Sequence, residues 1–289
     1  MIQKKYQSQN GYELQTLGDA ESFLAASLDF LHQNEDINAT VISTAQMIMS
    51  GSTTFGIPHW FGAIRDKDYS LAGCAIHAQP DGLTVTEVDA ALARPVFEWV
   101  SGSGIEPKRI TSEPKFTDSI SHLWKELRRK EIAMEHYWDV YRLDSVSDEC
   151  ISSATGTLRL ARSDESSLVK EWGNWYAREK PTFLNIGDFF QRKLALRELF
   201  VWDDNGPTSI MSLSARTRRG IRISALYTPL QFRGKGYASS IVTEVCKRQL
   251  SLDREFISLS AQKGDPVERL YTRLGFYPVG QRKSVTFTS

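Results

Sequence analysis

A chain of 289 residues, 41% hydrophobic and 24% charged, is long enough for one large or two medium cores, and no apolar run approaches the ~18 residues of a membrane-spanning helix. Its 35 basic and 35 acidic residues cancel, and a neutral chain without interleaved exposed aromatics is a poor polyanion binder, so neither nucleic acid nor a membrane is expected as a partner. Cys74, Cys150 and Cys246 lack metal-ligand spacing and suit a reducing compartment, and no apolar run follows Met1 to Tyr6, so the expectation is a cytoplasmic protein without a secretory signal.

In chain order, Tyr12 to Leu17 reads as a strand and Asp19 to Met49 as mostly helical. Strands follow at Trp60 to Ile64, Leu71 to His77 and Leu83 to Val88. A helix from Ala91 to Val100, a strand at Arg109 to Ser112, a helix from Asp118 to Arg129 and a strand near Tyr137 to Leu143 complete this half. The polar, turn-forming run Asp144 to Gly156 marks the boundary, giving expected domains 1–148 and 149–289. Charge divides the same way, with 13 basic against 22 acidic residues in 1–150 and 22 against 13 in 151–289. The opposite signs favour docking of the two halves, and a basic second half suits an anionic ligand.

The second half opens with a strand at Gly156 to Arg162, and Asp164 is expected to cap the next helix, which turns Leu168 and Trp172 inward. Phe189 to Leu196 reads as a helix, and Glu198 to Trp202 and Thr208 to Ala215 as a hairpin about Asp203 to Pro207. Arg216, Arg218, Arg219 and Arg222 form the densest basic cluster, either a solvated hairpin tip or a reach toward an anionic ligand. Then Ile221, Ile223 and Leu226 to Thr228 read as a buried strand stopped by Pro229, and from Ala238 the apolar residues Ile241, Val242, Val245, Cys246 and Leu250 recur at helical spacing. Gly234 and Gly236 therefore fall at a helix N-terminus, where unpaired N–H groups and the macrodipole attract an anion and glycine leaves its approach open. Neither a P-loop, which needs Lys then Ser or Thr after the second glycine, nor a dinucleotide fingerprint fits. An ordinary glycine-containing turn remains the alternative at this point.

A second element 35 or so residues on adds specificity. Gln231-Phe-Arg-Gly-Lys-Gly236 matches a Gln-x-x-Gly-x-Gly pattern, and Leu270-Tyr-Thr-Arg-Leu-Gly-Phe276 a Tyr-x-x-x-Gly-Phe pattern, with Glu255 to Ser260 as the strand between. In that order the two motifs resemble the GNAT acyltransferase superfamily. Together with Tyr227-Thr-Pro and Gly275-Phe-Tyr-Pro-Val-Gly280 they most resemble its glycine N-acyltransferase branch.

The resemblance implies a mixed α/β (α+β) fold: two GNAT-like domains in tandem, each a mostly antiparallel twisted sheet flanked by helices. It implies a transferase that moves an acetyl or other acyl group directly from acyl-CoA to a primary amine, on a small molecule, peptide or protein, without a metal. The alternative is a weakly catalytic pseudoenzyme that binds acetyl-CoA as sensor or scaffold. By the same resemblance, Leu226, Tyr227 and Thr228 hold the pantetheine arm, and the Tyr227 backbone N–H is the oxyanion donor. Phe232, Arg233, Gly234, Lys235, Gly236, Tyr237, Ala238 and Ser239 wrap the pyrophosphate, and Trp172, Trp175, Tyr176 and Phe183 wall the acceptor pocket. Tyr271 is the general acid, a phenol able to protonate a departing thiolate.

Asp265 is read as N-cap of the helix that carries Tyr271, with Pro266 in its first position. The family commonly places Asn seven residues before the Tyr; here Gly264 stands, and Asp265 is its nearest substitute. No carboxylate lies on the strand Gly220 to Tyr227, and Glu171, Glu179 and Glu198 read as solvated helix charges, which leaves the general base open. Residues 151–289 contain no histidine, excluding a His-based triad or His-ligated metal within that half. In the first half, the matching junction Glu87 to Pro95 has two carboxylates and no glycine, so this half is expected to be a degenerate copy without a phosphate loop.

Overall fold

The computed structural model describes residues 5–7, 11–51, 59–78, 82–146, 154–180 and 186–288, so Phe183, Cys150 and the centre of the boundary run lie outside the described residues. In chain order the elements are β1 (Lys5–Gln7), β2 (Glu13–Leu17), α1 (Ala20–Leu31), α2 (Glu35–Met49), β3 (Trp60–Arg65), β4 (Leu71–Ala78) and β5 (Gly82–Val85). Next come α3 (Ala93–Gly102), β6 (Arg109–Ser112), α4 (Pro114–Arg128), β7 (Ile132–Leu143), β8 (Thr157–Leu160), α5 (Ser166–Glu179) and α6 (Ile186–Ala195). The chain ends with β9 (Leu199–Asp203), β10 (Pro207–Arg216), β11 (Gly220–Tyr227), α7 (Tyr237–Leu250), β12 (Phe256–Gln262), α8 (Val267–Arg273) and β13 (Tyr277–Phe287). Contacts divide it into a first unit, Met1–Val140 with Ala261–Asp265 and Val279–Ser289, and a second unit, Tyr141–Ser260 with Pro266–Pro278.

In the first unit the sheet runs β1-β2-β3-β4-β5-β6-β13, antiparallel except for the parallel pair β5 and β6. Side-chain alternation gives the sheet two apolar faces. Phe61, Cys74 and Ile76 bury against Phe23, Leu31 and Ile42 of α1 and α2. Trp60, Leu83 and Ile110 bury with Phe97 and Trp99 of α3 and Trp124 of α4. Asp19 starts α1, its carboxylate accepting the Ser22 N–H at 2.7 Å, whereas α4 begins four residues before the expected Asp118, because Glu113 accepts from Lys115 and Phe116 and Pro114 takes the first position. The closing strand is unexpected. Lys283 to Thr286 pair with β6, Lys283 opposite Ser112 and Val285 opposite Ile110, and the residues from Val279 on belong to the first unit, so this strand completes its sheet.

One histidine of this unit has a consequence for folding. His77 on β4 is 5% exposed, lies opposite Trp60 in the ladder, and has no partner for either ring nitrogen among the described residues. Burial holds its pKa below the ordinary imidazole value, with His59 adding to the effect. The unfolded chain then binds the proton more readily, so this stability is full above roughly pH 6.5 and is lost as pH falls through that value toward the lower folded one. The urea midpoint for the first unit should drop between about pH 7.5 and pH 5.5, and less so in His77→Phe. An equal drop in the variant would remove His77 as the cause.

In the second unit the order is β12-β11-β10-β9-β8, antiparallel except for the parallel pair β11 and β12. Leu199, Val201, Ile210, Ala225 and Tyr227 form one face, buried under Val169, Trp172 and Tyr176 of α5 and Ile186 and Phe190 of α6. On α7, Ile241, Val242, Val245 and Cys246 are buried, and burial pushes the Cys246 thiol pKa up, out of the reactive range. Two start signals differ from the sequence reading. Glu165, rather than Asp164, makes the start contact, its carboxylate accepting the Arg162 backbone N–H at 2.7 Å. Likewise α8 begins at Val267 with Pro266 in the cap position and no side-chain cap bond, so Asp265 is not the N-cap.

Candidate functional site

The site grows from a fault in β11. Its register against β10 goes from Ser212 opposite Ser224 to Ile210 opposite Tyr227, so β11 carries one extra residue there. That bulge is centred on Ala225, whose φ of 55° is left-handed and rare for a side chain other than glycine. On its other edge, β11 pairs with β12 only from Gly220 opposite Phe256 to Arg222 opposite Ser258. The two parallel strands thus part while β11 runs on to Tyr227, leaving the strand-end backbone open along that edge.

Where β11 ends, a short 3-10 turn, Leu230–Phe232, leads into the glycine loop and α7. Gly234 (φ 77°) and Gly236 (φ 84°, the N-cap of α7) both take the left-handed backbone, which L-residues with side chains adopt only under strain. A Cβ on Gly234 would meet no atom within 4 Å, so the space above the loop is open. The first α7 bond is Ser240 N–H to Gly236 at 2.9 Å, and the N–H groups from Gly234 to Ser239 have no protein acceptor among the described residues. Such a row of N–H groups at a helix N-terminus is an anion cradle. Its start is anchored: Tyr237 Oη donates to Asp204 at 2.6 Å, which also takes the Thr155 hydroxyl at 2.8 Å.

Beside the bulge stands a contact that the sequence did not disclose. Glu179, at the end of α5, accepts the Tyr227 hydroxyl at 3.0 Å and an Arg233 N–H at 2.6 Å. Arg233 also donates Nε–H to the Thr228 carbonyl at 2.8 Å. Burial, then the Glu179 carboxylate, push the Tyr227 phenol up to about 12, so it stays a protonated donor. Glu179 is therefore not simply a solvated helix charge. Glu198 is not one either, since it is paired with Lys193 at 2.7 Å and Arg216 at 3.2 Å.

The structure gathers Tyr227, Thr228, Phe232, Arg233 and Tyr237 at this end of the sheet. Trp172 and Tyr176 are buried, their rings edge-on to Tyr227 at 6.4 and 5.7 Å, and Trp175 packs on the same core. Tyr271, in the second turn of α8, is 8% exposed and packs on Phe276 at 5.7 Å and Tyr141 at 6.4 Å. Tyr141 Oη donates to Glu268 at 3.3 Å, one turn before Tyr271. Asp265 belongs to the first unit, its N–H bonded to the Gln262 carbonyl at 3.0 Å. Of the basic cluster, Arg216 and Arg219 pair with Glu198 and Glu255.

Comparison with known proteins bears on this geometry. Residues 211–285 match a family model described as FR47-like protein. No curated protein is similar enough in sequence to match. Among solved structures, a GCN5-related N-acetyltransferase from Sphaerobacter thermophilus is similar at 13% identity and TM-score 0.54, over 97% of this chain and 96% of that one. A GNAT-family acetyltransferase from Colwellia psychrerythraea gives 10% identity and TM-score 0.52, over 95% and 99% of the two chains. A tandem GNAT protein from the clavulanic acid biosynthesis pathway gives 11% and 0.53, over 94% and 98%. At such identities the likeness is one of fold: the chain is built as two GNAT-like units in tandem, mixed α/β with mostly antiparallel sheets.

Proposed function

We propose that the second unit transfers an acetyl or other acyl group from acyl-CoA directly to a primary amine. The observation that carries this reading is the combination of parted parallel strands β11 and β12, the bulge at Ala225, and the unpaired N–H groups from Gly234 to Ser239. A pantetheine arm needs backbone partners along an open strand edge, and a pyrophosphate needs N–H groups and a positive helix end; both are present in one unit. Acyl-CoA supplies an activated thioester. The chain's own part is to bind and orient it, with the Tyr227 backbone N–H facing the acyl oxygen, where charge develops, and the Tyr271 hydroxyl as proton donor. Leu226 and Thr228 hold the arm, and Phe232 to Ser239 hold the phosphates.

The first unit is, in the same reading, a degenerate copy that shapes or supports without binding CoA. Its corresponding positions are already filled. The Asp89 carboxylate accepts the Ala91 N–H at 2.8 Å, placing an anion at that helix start. Ser112 donates to the Thr86 carbonyl at 3.1 Å, and Arg282 to the Val85 carbonyl at 3.3 Å.

Release of free CoA thiol from acetyl-CoA over a panel of amines, above hydrolysis, tests the reading; binding without turnover on any amine would refute the transfer. For the cradle, Gly236→Val forces a β-branched side chain into φ near 84° at the helix start. Acetyl-CoA affinity should fall at least about tenfold, roughly 1.4 kcal/mol. Unaltered affinity by calorimetry in a folded variant would overturn the phosphate assignment.

A further inference from the structure

Arg222 stands apart from the basic cluster with which the sequence groups it. It sits within β11, at the last rung before β11 and β12 part, opposite Ser258. Burial pulls its pKa down to about 10, with no carboxylate opposing the effect, yet the side chain keeps partial exposure. Among the described residues its one partner is the Ser260 hydroxyl, which accepts an Nη1–H at 3.1 Å. A guanidinium has five N–H donors. One protein acceptor for five donors, on a half-buried side chain, leaves most of the guanidinium open to an incoming anion.

Serines surround it. Ser212 and Ser224 are opposite each other with hydroxyls 3.2 Å apart. Ser212 lies two residues from Ile210, which shares the α5–α6 face with Tyr227, so Arg222, Ser224 and Ser212 share that face by alternation. The guanidinium also leans forward. Its ladder partner is Ser258, but it bonds Ser260, two residues nearer the strand ends, a lean of about 7 Å at 3.3 Å per residue. That brings it level with Ser224. From there to Tyr227 the ladder advances by two residue steps on β10, from Ser212 to Ile210, another roughly 7 Å.

We propose that Arg222, with Ser260 and Ser224, is a subsite for an oxyanion carried by the amine acceptor, a carboxylate or phosphate about 7 Å from the reacting nitrogen. This deepens the transferase reading and rests on it. The charge would be met by an N–H fork suited to either oxyanion, and the separation is too long for the amine and carboxylate of glycine.

The test is calorimetry on the full chain saturated with free CoA. The probes are δ-aminovalerate, the amino alcohol of the same chain, its phosphate ester, and glycine. One of the two anionic long-chain probes should bind about ten- to hundredfold tighter than the neutral alcohol, the range of one charge-assisted pair, and tighter than glycine; which one it is separates carboxylate from phosphate. Arg222→Gln should abolish that preference, and Arg222→Lys should restore part of it. Equal affinity for alcohol and anions, no binding of any probe to a protein that binds CoA, or a preference that survives Arg222→Gln would each overturn the subsite while leaving the transferase reading to its own assay. Failure to bind CoA at all would instead refute that underlying reading.

Discussion

Tyr271→Phe should lower kcat by about 10² to 10⁴-fold, the range of general acid catalysis, at nearly constant acetyl-CoA affinity. The argument is that only the hydroxyl is removed. The ring is 8% exposed and held by Phe276 and Tyr141, contacts that phenylalanine keeps, so α8 and its surroundings should stay in place. In the proposed acyl transfer, the bond from carbonyl carbon to sulfur breaks and the sulfur must acquire a proton or bear its charge. A loss confined to the chemical step lowers kcat and kcat/KM together. Calorimetry would confirm unchanged CoA binding, and the basic limb of the pH–rate profile should change in the variant. Turnover within about threefold of the parent, well below that range, with the same profile, would reduce Tyr271 to a packing residue.

The glycine loop was legible because its signals are local: Pro229, two glycines and an apolar helix period in one stretch. The bulge was not. Ile221 to Tyr227 alternates as a regular strand would, and nothing marks Ala225 as a residue that takes a positive φ; the ladder with β10 imposes it. The bond from Tyr227 to Glu179 joins residues 48 apart, so helix periodicity could only assign Glu179 to the solvent side. Arg222 illustrates the same limit, since proximity in sequence grouped it with Arg216 and Arg219, whereas strand register separates them. The last strand escaped notice for a different reason. Gln281-Arg-Lys-Ser284 is a poor β-former by composition. Yet tertiary partners support it: Lys283 pairs with Asp118 at 2.5 Å and Glu135 at 3.0 Å.

That strand leads to the prediction of largest effect on folding. Removing the residues from Val279 onward should unfold the first unit, although they lie at the far end of the sequence. Val285 and Phe287 are 0% and 4% exposed in the core with Trp124 and Leu83, and burial of each is worth about 1.5–3 kcal/mol. The strand also satisfies β6 from Arg109 to Ser112, while the Phe287 and Thr288 N–H groups bond the Lys108 and Glu131 carbonyls at 2.9 and 2.8 Å. Each such bond contributes about 0.5–1.5 kcal/mol. Together these terms reach the 5–15 kcal/mol by which a domain is typically stable. Limited proteolysis should therefore cut throughout residues 11–140 of the truncated chain, under conditions where the complete chain resists. Phe287→Ala, a milder perturbation, should lower the unfolding free energy of the first unit by about 3–5 kcal/mol. A truncated chain whose first unit keeps its protease resistance and hydrogen-exchange protection would show that β6 does not need β13 beside it.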